Sequence, residues 1–203
     1  MPRRHPLSRP SGRLPQCWLF TDARLGDAVL AAAAALPPGS GIVLRDDDRA
    51  SGDRWRLVRR LARIAKARNL VLLLAGSPAL AQRWGADGVH LRQHRVKQAA
   101  AAHRLGLIVS MPVHDPREAR AARRARADLA FVSPLHPTRS HPGAASLGRA
   151  AWLRLARRSG AQPVALGGLT PARARVLRRA SRASGLTPGW AAIDHWLEKV
   201  ARG

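Results

Sequence analysis

Residues able to do chemistry gather in a few short segments of this 203-residue chain. Arg45 is followed at once by Asp46, Asp47 and Asp48, a cation beside carboxylates that could recruit a metal or simply line a solvated loop. His90 stands with Arg92 and Gln93, and His114 with Asp115. A longer polar stretch carries His136, Thr138, Ser140 and His141. Gly167-Gly168 is a paired glycine, whose lack of Cβ atoms lets backbone amides approach an anion closely. Asp194 closes the set. Acid–base work by a histidine and phosphate binding are the chemistries these types support. Among His90, His114, His136 and His141 no pair has the His-x-x-x-His spacing of a helical metal site, and there is no Gly-x-Ser-x-Gly nucleophile elbow. Cys17 is the only cysteine, which excludes an internal disulfide and a multi-cysteine metal site.

Elements that would position these residues alternate along the chain. Short apolar runs read as strands at 18–21, 41–45, 71–75, 88–91, 108–113, 129–133, 163–166 and 189–193. Between and after them lie stretches of helical composition at 27–36, 54–68, 77–84, 97–105, 115–126, 150–158, 171–183 and 194–200. The strands are nearly continuously apolar, as expected of a parallel sheet covered by helices. Ser77-Pro78, Asp115-Pro116 and Thr170-Pro171 each set a capping oxygen ahead of a proline at the first helical position. Eight such βα units admit a closed (β/α)8 barrel or a doubly wound open sheet. No Gly-x-Gly-x-x-Gly follows the first strand, where Phe20-Thr21-Asp22-Ala23 stands instead, and the count favours the barrel. In a barrel the chemistry belongs at the C-terminal strand ends, and those ends are where the residues above fall.

The chain carries 36 basic and 12 acidic residues, a formal net charge of +24, almost all of the basicity being arginine. An abundance of Arg, Ala, Gly and Pro together is the mark of GC-rich codons. The arginines interleave with alanines as on a solvated helix face, and no nucleic-acid recognition motif accompanies them, so a nucleic-acid partner is not expected. Six tryptophans are scattered as packing residues rather than grouped as a stacking platform. The basic segment 1–15 has no apolar core of a signal peptide, and no stretch reaches the roughly 18 apolar residues of a membrane span. The expectation is a cytoplasmic protein with a flexible leader, 1–15, and one barrel domain, 16–203.

Several motifs carry a family resemblance. Gly85-Ala86-Asp87-Gly88-Val89-His90-Leu91-Arg92-Gln93 resembles the Gly-Ala-Asp-Gly-Val-His-Leu-Gly-Gln signature of the thiamine phosphate synthase family, which also contains a thiazole tautomerase. Pro134-Leu135-His136-Pro137-Thr138-Arg139-Ser140-His141-Pro142 is similar to its loop Pro-x-Phe-Pro-Thr-x-Thr-Lys-Pro. Val164-Ala165-Leu166-Gly167-Gly168-Leu169 resembles Val-Ala-Ile-Gly-Gly-Ile, and Ile42-Val43-Leu44-Arg45-Asp46 resembles Val-Gln-Leu-Arg-Glu.

The resemblance implies the (β/α)8 barrel and an enzyme that joins a pyrimidine diphosphate to a thiazole phosphate with loss of pyrophosphate. It implies a site with Arg45, His136 and His141 as catalytic residues. Arg45, Thr138, Ser140, His141, Gly167, Gly168, Ile193 and Asp194 would hold the phosphorylated substrates. It also implies Mg2+, yet the metal carboxylates of the family pattern align with Gly76 and Arg95, so no metal ligand is assigned. The Gln and Lys flanking the family arginine align with Val43 and Asp47, and the serine of the eighth strand aligns with Asp194. The pyrophosphate half of the site is thus depleted. The alternatives are a tautomerase-like isomerase, with His136 moving a ring proton, and a non-catalytic phosphate-binding relative.

Overall fold

The computed structural model describes residues 14–22, 25–26, 28–45, 50–137 and 145–201. Eight parallel strands close into a barrel in sequence order: β1 (Cys17–Phe20), β2 (Gly41–Leu44), β3 (Val71–Ala75), β4 (Gly88–His90), β5 (Ile108–Val113), β6 (Leu129–Val132), β7 (Gln162–Ala165) and β8 (Gly189–Ala192). β1 pairs with β8 through Cys17↔Trp190, Trp18↔Ala191 and Leu19↔Ala192, which seals the ring. The open-sheet alternative is thereby excluded. Among the described residues eight α-helices lie outside: α1 (Ala28–Ala34), α2 (Ser51–Ala67), α3 (Pro78–Arg83), α4 (Ala99–Arg104), α5 (Pro116–Arg124), α6 (Gly148–Ser159), α7 (Pro171–Ser181) and α8 (Asp194–Ala201).

Local chemistry sets the strand-to-helix joints. Ser77 Oγ accepts from Leu80 N at 3.2 Å, Asp115 Oδ1 from Glu118 N at 2.8 Å, and Thr170 Oγ1 from Arg173 N at 3.3 Å. Each cap is followed by the proline whose missing N–H the first helical turn can spare. Asp87 and Asp128 work at the opposite end of the barrel, where their carboxylates accept from Leu72 N and Val109 N at 2.8 Å each. They tie neighbouring strands at their starts and take no part at the mouth. At Gly88 a Cβ would lie 2.3 Å from the Ile108 carbonyl oxygen, so only glycine permits that approach of β4 to β5.

The interior is aromatic. Phe131 of β6 meets Trp18 edge-on at 5.5 Å and Phe20 at 4.7 Å. Trp18 fills the base of the barrel over Gly41, whose missing side chain leaves room for the indole. Buried tryptophans also lock elements together: Trp152 Nε1 donates to Val132 O at 3.1 Å and Trp196 Nε1 to Trp18 O at 3.3 Å.

Some boundaries differ from the sequence reading. The expected helix 97–105 is a 3-10 helix at Gln93–Gln98 followed by α4, and α2 starts three residues ahead of Arg54. Of the expected leader, only Leu14 and Pro15 are among the described residues. Leu14 packs on the core, and Pro15 O accepts from Trp18 Nε1 at 2.8 Å and Gln162 Nε2 at 3.1 Å. Among the described residues no helix is long and apolar enough to cross a membrane.

Candidate active site

The C-terminal mouth of the barrel holds a cavity of about 500 Å3, the size of a small-molecule site. Its floor is the top of the aromatic interior. Phe20 and Phe131 present their rings there, and His90 stands edge-on to both with centroids 5.6 Å away. His90 Nδ1 lies 2.9 Å from Ser110 Oγ, and that hydroxyl donates its proton to Val89 O at 3.3 Å. The hydroxyl lone pair therefore accepts from an Nδ1–H, which leaves Nε2 as the acceptor. Burial, followed by the charges of Arg45, Arg92 and His114, pushes the His90 pKa down to about 3. The floor is uncharged at neutral pH.

One side of the mouth, from β2 to β4, is basic. Arg45 follows β2 and is held in place from beneath: Nε donates to Thr21 O at 3.1 Å and Nη2 to Asp22 Oδ2 at 3.2 Å. Its guanidinium lies 5.4 Å from the centre of the Phe20 ring. Arg92, after β4, lines the same side. Ala75 closes β3 between them and supplies no polar side chain, and Gly76 follows it. Below this rim Arg54 of α2 is buried, with Nη2 donating to Ala75 O and, at 3.1 Å, to Arg45 O. Arg95 does not line the cavity; its backbone N–H closes a turn on Arg92 O at 2.8 Å.

The opposite side, after β7 and β8, is the glycine bend with the start of α8. Gly167 and Gly168 take φ of +101° and +60° and line the cavity with Leu169, Ile193, Asp194 and His195. Both glycines are required. A Cβ on Gly167 would lie 2.9 Å from Pro134 Cα, and one on Gly168 would lie 2.7 Å from Pro137 O and 3.0 Å from His136 Cβ. The segment after β6 thus packs behind the bend, anchored by Leu135 N to Leu166 O at 2.9 Å, while the bend itself faces the open mouth. Among the described residues the amides of Gly167, Gly168 and Leu169 donate to no carbonyl. Such amides beside a helix start suit an anion.

The fold therefore brings Arg45, Gly167, Gly168, Ile193 and Asp194 to one cavity. His136 is not among its lining residues. It is half-buried behind Gly168, where burial and then Arg173 lower its pKa. Thr138, Ser140 and His141, and the acidic run Asp46, Asp47 and Asp48, lie outside the described residues. His114 lines the cavity with Nδ1 2.7 Å from Glu118 Oε2. His195, Arg54 and Arg173 escaped the sequence reading. His195 packs edge-on against Trp190 at 5.7 Å and Trp196 at 4.9 Å. The only signal for any of the three was position in the first turn of the helix after a strand.

A Mg2+ ion needs oxygen donors, chiefly carboxylates. Among the described residues the β2–β4 rim offers Arg45, Ala75, His90 and Arg92 to the cavity, with no carboxylate. Among the described residues no group of three or more His, Cys, Asp or Glu side chains could hold a metal ion. These residues do not fit a divalent cation.

Comparison with known proteins identifies the family and the fold. The family model for thiamine monophosphate synthase matches residues 17–187. The thiamine-phosphate synthase of Chromobacterium violaceum is 35% identical over 151 residues, spanning 73% of this chain and 72% of that protein. That of Geobacillus kaustophilus is 32% identical over 128 residues, 62% of this chain and 58% of the relative. Among solved structures, the thiamine phosphate pyrophosphorylase from Pyrococcus furiosus superposes with a TM-score of 0.71 at 19% identity, covering 93% of this chain and 96% of that one. The YdjI aldolase of Escherichia coli K12 gives 0.58 at 15% identity over 89% of this chain and 75% of the other, a likeness of barrel alone.

Proposed function

The chain belongs to the thiamine monophosphate synthase family and is a synthase-like transferase of thiamine biosynthesis, and on that premise we propose that it works with an arginine-based, metal-poor pyrophosphate site. The family binds small phosphorylated substrates and uses Mg2+. In this reading the substrates are a pyrimidine diphosphate and a thiazole phosphate, met in the cytoplasm. The C–O bond between the pyrimidine-methyl carbon and pyrophosphate breaks, and the leaving oxygen takes the electron pair. The thiazole nitrogen then gives its lone pair to the cationic carbon, forming the C–N bond of thiamine phosphate. No proton transfer is needed for balance.

Each part of the cavity has a task in that sequence. Arg45 and Arg92 receive the departing pyrophosphate, and Arg45 is already fixed by Thr21 and Asp22, so little reorganisation is needed as charge develops. The rings of Phe20, Phe131 and His90 hold the planar pyrimidine. Because His90 stays neutral, the floor does not repel the carbocation. The Gly167-Gly168 bend and the start of α8 through Ile193 and Asp194 position the thiazole phosphate, assisted by Thr138, Ser140 and His141. His136 backs the bend.

The single observation that carries the proposal is the rim at Arg45, Ala75 and Arg92, which pairs two guanidinium groups with no carboxylate among the described residues that line it. Metal stabilisation of a leaving phosphate is worth several kcal/mol, and about 4 kcal/mol is roughly a thousandfold in rate. Coupling is therefore expected to be slow and to survive chelation. The test is steady-state coupling of the two substrates with excess Mg2+ and with excess chelator. A change below about threefold, with Arg45→Gln losing at least about tenfold, supports it. Activity abolished by chelator and restored by Mg2+ overturns the metal-poor site. The isomerase alternative needs His136 at the substrate, and its place outside the cavity lining favours the synthase.

A further inference from the structure

The anion end of the cavity poses a charge problem. Gly167 and Gly168 offer amides, but Asp194 belongs to the same wall. A phosphate monoester carries about −1.5 to −2 charges at neutral pH, so a carboxylate nearby works against it. His136 adds no cation, since burial and Arg173 hold its pKa below the ordinary histidine value. Arg173 itself is the group that answers. It is the third residue of α7, its N–H capped by Thr170 Oγ1 at 3.3 Å. From there the side chain folds back over the bend, and Nη1 donates to Gly168 O at 2.6 Å. A Cβ on Gly168 would lie 3.3 Å from the same nitrogen. Arg173 is not itself among the lining residues, but its guanidinium is bonded to one that is. Of its five N–H donors only the one on Gly168 O is used among the described residues.

We propose that Arg173 is an anion-binding and specificity residue of this chain, gripping a phosphate monoester laid on the Gly167-Gly168 bend and offsetting the Asp194 carboxylate. The ligand class rests on the proposed function; the charge assignment rests on the geometry of the bend. A guanidinium fixed at one N–H keeps a planar edge of donors for phosphate oxygens, which a flexible ammonium would not match.

The experiment measures calorimetric affinity for three ligands: the thiazole phosphate, the corresponding unphosphorylated thiazole alcohol, and inorganic phosphate. Wild type is compared with Arg173→Gln, Arg173→Lys and the same-helix control Arg175→Gln. Arg173 is exposed, so the variants should melt with wild type. The expected result is a loss of at least about tenfold for the thiazole phosphate in Arg173→Gln. The lysine variant recovers part of it, and Arg175→Gln and the affinity for the alcohol do not change. In the same variant the His136 titration, followed by NMR, moves up toward its ordinary range. Equal losses for phosphate and alcohol, or no loss, overturn the assignment while leaving the synthase reading intact. Arg173-dependent binding of inorganic phosphate without thiazole phosphate binding supports the assignment and overturns the substrate. Wild type that binds neither phosphate overturns both.

Discussion

Protonating His90 should cost this protein stability in a defined pH window. The imidazole is 5% exposed, sits against Phe20 and Phe131, and has its pKa pushed from 6.5 to about 3. Below pH 6.5 the unfolded chain takes a proton at this residue, while the folded protein refuses it until about pH 3. The unfolded state therefore binds more protons throughout that window, and stability falls as pH falls. With those two values the contribution lost relative to pH 7 or above is about 2 kcal/mol at pH 5 and about 3 kcal/mol at pH 4. For a domain of ordinary stability, about 5–15 kcal/mol, that is a large share. Urea unfolding at pH 7, 5 and 4 reads it directly when wild type is compared with His90→Phe. Phenylalanine keeps an aromatic ring against Phe20 and Phe131, and Ser110 keeps its bond to Val89 O. The variant is expected to lose about 2 kcal/mol less than wild type between pH 7 and pH 5, because carboxylates and the other histidines titrate alike in both proteins. Parallel pH profiles would show that the ring is hydrated and chargeable, and the argument for an uncharged floor beneath a carbocation would go with it.

Two further perturbations test the frame of the mouth. Gly167→Ala places a side chain at φ +101° with its Cβ 2.9 Å from Pro134 Cα, so it should cost roughly 3 kcal/mol in urea unfolding and weaken phosphate binding. A variant as stable as wild type would mean that the segment after β6 does not pack on the bend. Arg54→Met keeps the aliphatic stem beside Trp84 but leaves the carbonyls of Arg45 and Ala75 without this donor. About 2 kcal/mol of destabilisation is expected, together with weaker binding of pyrophosphate through a loosened Arg45. An unchanged unfolding midpoint would show that the β2–β3 rim holds its shape without that guanidinium.

What the sequence disclosed follows how local each determinant is. Ser77-Pro78, Asp115-Pro116 and Thr170-Pro171 act within three residues of themselves, and the caps they announce are present. The 3-10 segment at Gln93–Gln98 was not legible, because Gln93 Nε2 reaches Pro112 O of β5 at 2.8 Å, a tertiary tether that competes with helical propensity. The nine-residue run from Gly85 to Gln93 identifies the family, but chemistry does not explain most of it. Asp87 pins Leu72 at the far end of the barrel, Gly88 makes room for Ile108 O, and only His90 and Arg92 reach the cavity. Conversely, assigning function to strand ends finds Arg45, His90, Gly167 and Asp194 and overlooks Arg54, Arg173 and His195. These three sit in the opening turn of α2, α7 and α8, where long side chains or rings fold back onto the mouth. That opening turn is where charge can be added beside the mouth of a barrel without disturbing a strand. From that position Arg54 braces the β2–β3 rim through the carbonyls of Arg45 and Ala75, and Arg173 braces the glycine bend through Gly168 O.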